Sequence, residues 1–112
     1  MPEKRRFERI PETLEITYRR VPDVKACGFI TRDISEGGVR FFAKEFLPVG
    51  SILRIQVKLK KIYFAFEALA QVKWIKKDTT EERFDVGADF IDISNEAKKR
   101  LAEYVKNSLE NK

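Results

Sequence analysis

The sequence predicts an all-β domain, a small antiparallel barrel flanked by one C-terminal α-helix. Apolar residues alternate with polar ones in short runs along most of the chain, turn-forming residues separate the runs, and only the last stretch changes to helical spacing. Six or seven short strands of this kind are most simply satisfied by a barrel, which leaves no exposed sheet edge. With 112 residues and 43% hydrophobic composition, the chain has the size and apolar content of a single domain with one core.

The elements follow in order. Leu14, Ile16 and Tyr18 form a first short strand, Phe29 and Ile30 lead a second toward Asp33, and Val39 to Phe42 make a third. A turn at Leu47-Pro48-Val49-Gly50 opens a strand from Ile52 to Lys60, where Leu53, Ile55, Val57 and Leu59 face inward and Arg54, Lys58 and Lys60 form a solvated face. After Lys61-Ile62-Tyr63, the series Phe64, Phe66, Ala68, Ala70, Val72, Trp74 holds a period of two. On that face Trp74 and most of the nine phenylalanines are expected in the core. A polar stretch from Asp78 to Arg83 separates this strand from another alternating run at Phe84, Val86, Ala88 and Phe90. Ser94 or Asn95 then offers a helix N-cap, and Leu101, Tyr104, Val105 and Leu109 recur at helical spacing, leaving Lys98, Lys99 and Lys106 in water. The expected organisation is one domain with a flexible basic arm over 1–10, a barrel over 12–93 and a helix over 94–110.

Composition removes several function classes. Histidine is absent, Cys27 is the single cysteine and sits in a strand-like stretch, and no cluster of carboxylates has metal-ligand spacing, so neither a metal site nor a cofactor is expected. A general acid or base near neutral pH would have to be a strongly shifted carboxylate or lysine, and nothing singles one out, so the chain does not read as an enzyme. No apolar run reaches membrane-spanning length and the charged start is not followed by a signal-peptide h-region; a lone cysteine suits a reducing compartment, so a cytoplasmic location is expected. A formal charge of +5 suits an anionic partner.

Two segments could carry recognition. Arg5-Arg6-Phe7-Glu8-Arg9 sets two guanidiniums four residues apart just before Pro11, too near the terminus to be a secure helix. A guanidinium is a planar fork that grips phosphate oxygens or the O6 and N7 edge of guanine, although an arginine pair by itself is more often a solvated tail. Further on, Asp33-Ile34-Ser35-Glu36-Gly37-Gly38 joins two strands. In extended chain Asp33 and Ser35 share one side while Ile34 faces the core, so a carboxylate and a hydroxyl are expected together outside the barrel, with Gly38 allowing a close approach of ligand to backbone. The carboxylate can accept from the N1 and N2 donors of guanine. An ordinary turn is the plain alternative. Asp92-Ile93-Ser94 repeats the Asp-x-Ser half, with Ala97 where the glycine would be, and is expected to cap the helix.

Arg5-x-x-x-Arg9, followed some two dozen residues later by Asp33-x-Ser35-x-x-Gly38, resembles the two-part signature of the PilZ family of receptors for the bacterial second messenger cyclic di-GMP. The likeness extends through Gly37-Gly38-Val39-Arg40-Phe41, Gln71-Val72-Lys73-Trp74, Val86-Gly87-Ala88-Asp89-Phe90 and the final amphipathic helix. It implies a six-stranded antiparallel barrel with a C-terminal helix, and it passes the guanine and phosphate roles to Arg5 and Arg9 and a guanine edge to Asp33, Ser35 and Gly38. Arg6 and Gly37 are accessory candidates. The residue before the arginines is Lys4, and in this family a basic residue there tends to accompany binding of a stacked ligand dimer, which makes Lys4 a further accessory candidate. The implied function is that of an adaptor that binds cyclic di-GMP and signals to an unidentified effector protein in motility, exopolysaccharide, biofilm or virulence control. A single-stranded nucleic-acid-binding barrel using Trp74 or Tyr63, and a PilZ-like domain that binds only protein, are the alternatives.

Overall fold

Strands form where the alternation lies. The computed structural model describes residues 9–10, 15–21 and 26–110. Within them run β1 (Arg9–Ile10), β2 (Glu15–Arg20), β3 (Ala26–Ser35), β4 (Gly38–Ala43), β5 (Ile52–Leu59), β6 (Phe64–Asp78) and β7 (Arg83–Ile93), followed by α1 (Asn95–Glu110). All pairings are antiparallel, and they run from β2 to β3, β4, β7, β6, β5 and back to β2. The sheet therefore curls into a closed ring, so no long edge is left to recruit another chain. β1 pairs with the far end of β3 in almost the register that β2 continues, Ile10 with Ile34 and Glu15 with Ile30. The two segments read as one interrupted strand, which gives a six-membered barrel from seven strand segments.

The interior is built from the inward half of each alternation. On β5, Leu53, Ile55, Val57 and Leu59 are fully buried while Gln56 and Lys58 are exposed. Ile16 and Tyr18 of β2 meet Val39 and Phe41 of β4 in the same core, and the Tyr18 and Phe41 rings stand 5.2 Å apart. β2 and β4 do not pair, so this contact crosses the inside of the barrel. Burial of such a side chain contributes about 1.5–3 kcal/mol, which makes the alternation the main determinant of the register.

The turn before β5 is held by Ser51, whose amide and hydroxyl both donate to the Pro48 carbonyl, at 3.0 and 2.6 Å. Gly50 sits there at φ 95°, a left-handed conformation that a side chain would resist. The connection into β6 is less relaxed: after a 3-10 turn at Lys60–Ile62, Tyr63 takes φ 51° with its ring 96% exposed.

At the other terminus of the barrel Ser94 is the N-cap, its hydroxyl accepting the Ala97 amide at 3.1 Å, so the second Asp-x-Ser is a capping device as expected. Ala97, Leu101, Tyr104 and Val105 are buried and Leu109 packs on the core, while Lys98, Lys99 and Lys106 face water. The helix lies against β1 and β3. Among the described residues no helix is long and apolar enough to cross a membrane.

Trp74 departs from the sequence reading. The β6–β7 ladder shifts register between Val72 and Trp74, so Val72 pairs with Ala88 but Trp74 pairs with Gly87, and Ile75 takes the place opposite Val86. This bulge ends the simple period of two and turns Trp74 away from the core, while Ile75 packs against it. A Cβ at Gly87 would overlap the indole of Trp74, which occupies the space beside that glycine. The phenylalanines divide as well: Phe41 and Phe66 are core, Phe64, Phe84 and Phe90 are half-buried against it, but Phe46 is exposed and Phe42 lies on the outer face beneath the Arg83 guanidinium, 3.6 Å away.

Candidate functional site

The turn between β3 and β4 is set by its own polar side chains. Ser35 accepts the Gly37 amide at 3.1 Å, a local bond that competes with continuation of the strand and starts the reversal. The Gly37 carbonyl in turn accepts the Phe90 amide at 2.8 Å, which fastens the turn to β7.

Asp33 and Ser35 do flank the fully buried Ile34 and lie on the opposite side of the strand from it. Their exposure differs from expectation. Ser35 is only 3% exposed, at the point where β1 pairs along β3. Asp33 keeps 19% of its side-chain surface. The Ser35 oxygen is committed to the turn as an acceptor, and its own proton remains a donor.

Gly38 has a packing role of its own. It pairs with Asp89 of β7, and a Cβ added to it would run into the Ala88 carbonyl oxygen and come within 3.1 Å of the Asp89 Cα. The missing side chain is therefore required by the approach of β4 to β7.

Of the basic residues read from the sequence, Arg9 is in the described part. At the end of the expected arm over 1–10, Arg9 and Ile10 form β1 and pair with Ser35 and Ile34. The backbone of the second motif arginine thus stands directly across the ladder from the motif serine. Lys4, Arg5 and Arg6 lie outside the described residues, as do the rest of 1–8.

Three residues that the sequence reading did not assign to the site complete its surroundings. Arg40 pairs with Asp33 on one side and Gly87 on the other. Its Nε and Nη2 donate to the two carboxylate oxygens of Asp85, at 3.0 and 2.6 Å, and its Nη1 lies 3.9 Å from Asp33 Oδ2. The hydrogen bond to Asp85 raises the Arg40 pKa above its ordinary value; burial opposes this, and the charges of Asp85 and Asp33 add to it. The Trp74 ring centroid is 5.7 Å from the Arg40 guanidinium and 5.6 Å from the Lys76 ammonium. No spacing in the chain announces this cluster. It depends on the β3–β4, β4–β7 and β6–β7 registers together. Among the described residues there is no grouping of three or more potential ligands that could hold a metal ion.

The model of the PilZ domain family matches residues 3–107. Solved structures share the fold: the Bacillus subtilis inhibitor of motility MotI/DgrA, 20% identical with a TM-score of 0.87 over 98% of this chain and 53% of that one; the PilZ domain with c-di-GMP of YcgR from Escherichia coli, 22% identical with a TM-score of 0.72 over 97% and 93%; and the K. pneumonia MrkH–c-di-GMP complex, 18% identical with a TM-score of 0.78 over 96% and 52%. The chain spans about half the length of the MotI/DgrA and MrkH chains. No curated protein sequence matches it. The family match covers nearly all of the barrel and helix described above, and the chain belongs to the PilZ domain family, a family of non-catalytic cyclic di-GMP receptors.

Proposed function

We propose that this domain binds cyclic di-GMP at the end of β3, between the basic N-terminal segment and the turn from Asp33 to Gly38, and passes the binding event to an effector protein. The observation that carries this reading is the pairing of Arg9 with Ser35, which sets the two halves of the motif side by side although two dozen residues separate them. Arg5, Arg6 and Arg9 supply the charge for two phosphates and the forked donors for a guanine edge. Asp33 is a carboxylate with acceptors for the guanine N1 and N2 donors, and Ser35 retains a donor. The complexes of YcgR and MrkH with c-di-GMP share this fold and lend the ligand.

Isothermal titration at moderate salt tests the reading. Cyclic di-GMP should bind, and cyclic di-AMP should bind far more weakly, since adenine lacks the O6 acceptor and the N1 and N2 donors. Equal binding of the two dinucleotides, or no heat with cyclic di-GMP, overturns it. A salt-dependent oligonucleotide gel shift without cyclic di-GMP binding would favour the nucleic-acid reading instead.

A further inference from the structure

Arg40 belongs to neither half of the motif, yet it joins the motif carboxylate to the body of the barrel. It stands in a row across three strands: Asp33 beside it on β3, Gly87 on its other side on β7, and Trp74 beyond that glycine on β6. Gly87 brings no side chain into the row, and the Trp74 indole fills the space above it, 5.7 Å from the guanidinium. Asp85, two residues before Gly87 on the same strand, holds Nε and Nη2 in a two-pronged grip. A planar guanidinium bound through two nitrogens has little freedom to rotate, so the position of Nη1 is fixed, and it is Nη1 that meets Asp33 at 3.9 Å.

We propose that Arg40 is a positioning residue that holds the Asp33 carboxylate in place for the N1 and N2 donors of guanine, and that it thereby sets the preference of the site for guanine without touching the ligand. The proposal rests on the reading that the domain binds cyclic di-GMP. Accepting two parallel donors from one base edge requires both carboxylate oxygens to lie near the plane of that base. A carboxylate already held in that plane avoids the ordering cost that would otherwise weaken binding. At 3.9 Å the Arg40 guanidinium acts on Asp33 through charge and not through a hydrogen bond. The two carboxylates are largely covered, with 19% of the Asp33 side chain and 12% of the Asp85 side chain exposed, whereas the Arg40 side chain is 33% exposed, so the Asp85 grip and not low screening is what fixes the guanidinium.

The test compares cyclic di-GMP with its inosine analogue, which lacks the N2 amino group and is otherwise the same ligand. The variant R40M/D85L removes both members of the half-buried pair, which avoids leaving either of the two charges stranded. Wild type should prefer cyclic di-GMP over the inosine analogue by about tenfold or more, because a site built to meet a donor rejects a ligand that lacks it. In R40M/D85L that preference should fall to about twofold, with the ligand-free melting temperature within a few degrees of wild type. D33A should lose the preference too, and adding R40M/D85L to D33A should change it no further, since Arg40 acts through Asp33. If the double variant does not fold, R40K provides the same ratio, because lysine keeps the charge but lacks the fork. An unchanged preference in the variants, with wild type binding normally, overturns the positioning role and leaves the receptor reading intact. Equal losses for both ligands also overturn it, since they would make Arg40 a general attractor of anions. No binding of cyclic di-GMP by wild type removes the receptor reading and this inference with it.

Discussion

Replacing Gly38 with alanine separates the packing role of a motif glycine from its ligand-binding role. The added Cβ would overlap the Ala88 carbonyl oxygen and stand 3.1 Å from the Asp89 Cα. Both obstacles are backbone atoms of β7, in a ladder where β4 pairs through six successive residues from Gly38 to Ala43. No flexible side chain can move aside, so the end of β4 must lift away from β7. Overpacking of this kind costs about 1–3 kcal/mol. The lift also strains the bond from the Phe90 amide to the Gly37 carbonyl, 2.8 Å long, worth about 1 kcal/mol. The sum is a loss of about 2–4 kcal/mol from the ligand-free protein, which for a domain of this size lowers the melting temperature by on the order of 10 °C. Urea unfolding followed by circular dichroism, without any nucleotide, measures it. A ligand-free stability equal to wild type, accompanied by lost cyclic di-GMP binding, would refute the packing argument and return Gly38 to a purely ligand-facing role.

The internal repeat supplies a control: Asp33→Ala should weaken cyclic di-GMP binding by about 1–3 kcal/mol, whereas Asp92→Ala should leave the affinity unchanged, and titration calorimetry showing equal losses would defeat the assignment of the motif. Ser94→Ala should cost about 1 kcal/mol of stability through loss of the N-cap on Ala97, with ligand affinity unaltered, as thermal melts and titrations together can show. Tyr63→Asn should stabilise the protein by about 0.5–1 kcal/mol, because Asn accepts the left-handed backbone at φ 51° more readily than an aromatic residue and the exposed ring loses little; a drop in stability would contradict the reading of strain. The Asp78 carboxyl is held well below the usual carboxylate range by hydrogen bonds from Thr80 and from Arg83. A depressed folded-state pKa means that its stabilising effect is complete above the unfolded value of about 4 and is lost as the pH falls below it, so Asp78→Asn should be less stable than wild type at neutral pH and converge with it in acid. Carbon-detected NMR titration of the Asp78 carboxyl should show it protonating after the other carboxylates.

The geometry of the β3–β4 turn was legible because its parts are local. The turn residues from Ser35 to Gly38 act within a few positions of one another, and the Ser35 bond to the Gly37 amide follows from chemistry that any serine before a glycine pair can perform. The capping role of Ser94 was equally local, and the absence of a following glycine distinguished it from the first copy. Arg40 was not legible. Its partners Asp33, Asp85 and Trp74 lie on three other strands, and only the ladders bring them to one place. The burial of Ser35 was not legible either, since its surroundings, including the pairing of β1 with β3, are non-local.

The sequence by itself determined the class of fold and most residues of the core, because alternation along an extended chain assigns each side chain a face before any strand has a neighbour, and helical spacing does the same for Leu101, Tyr104 and Val105. The tertiary structure decided what stands beside what. A single bulge after Val72 reversed the face of Trp74 and gave its inward place to Ile75, a change that no local pattern encodes because an inserted residue is defined only against the partner strand. It likewise decided that Arg9 meets Ser35 and that Arg40 meets both Asp85 and Asp33, since register is a property of paired strands, fixed by the burial of both apolar faces at once.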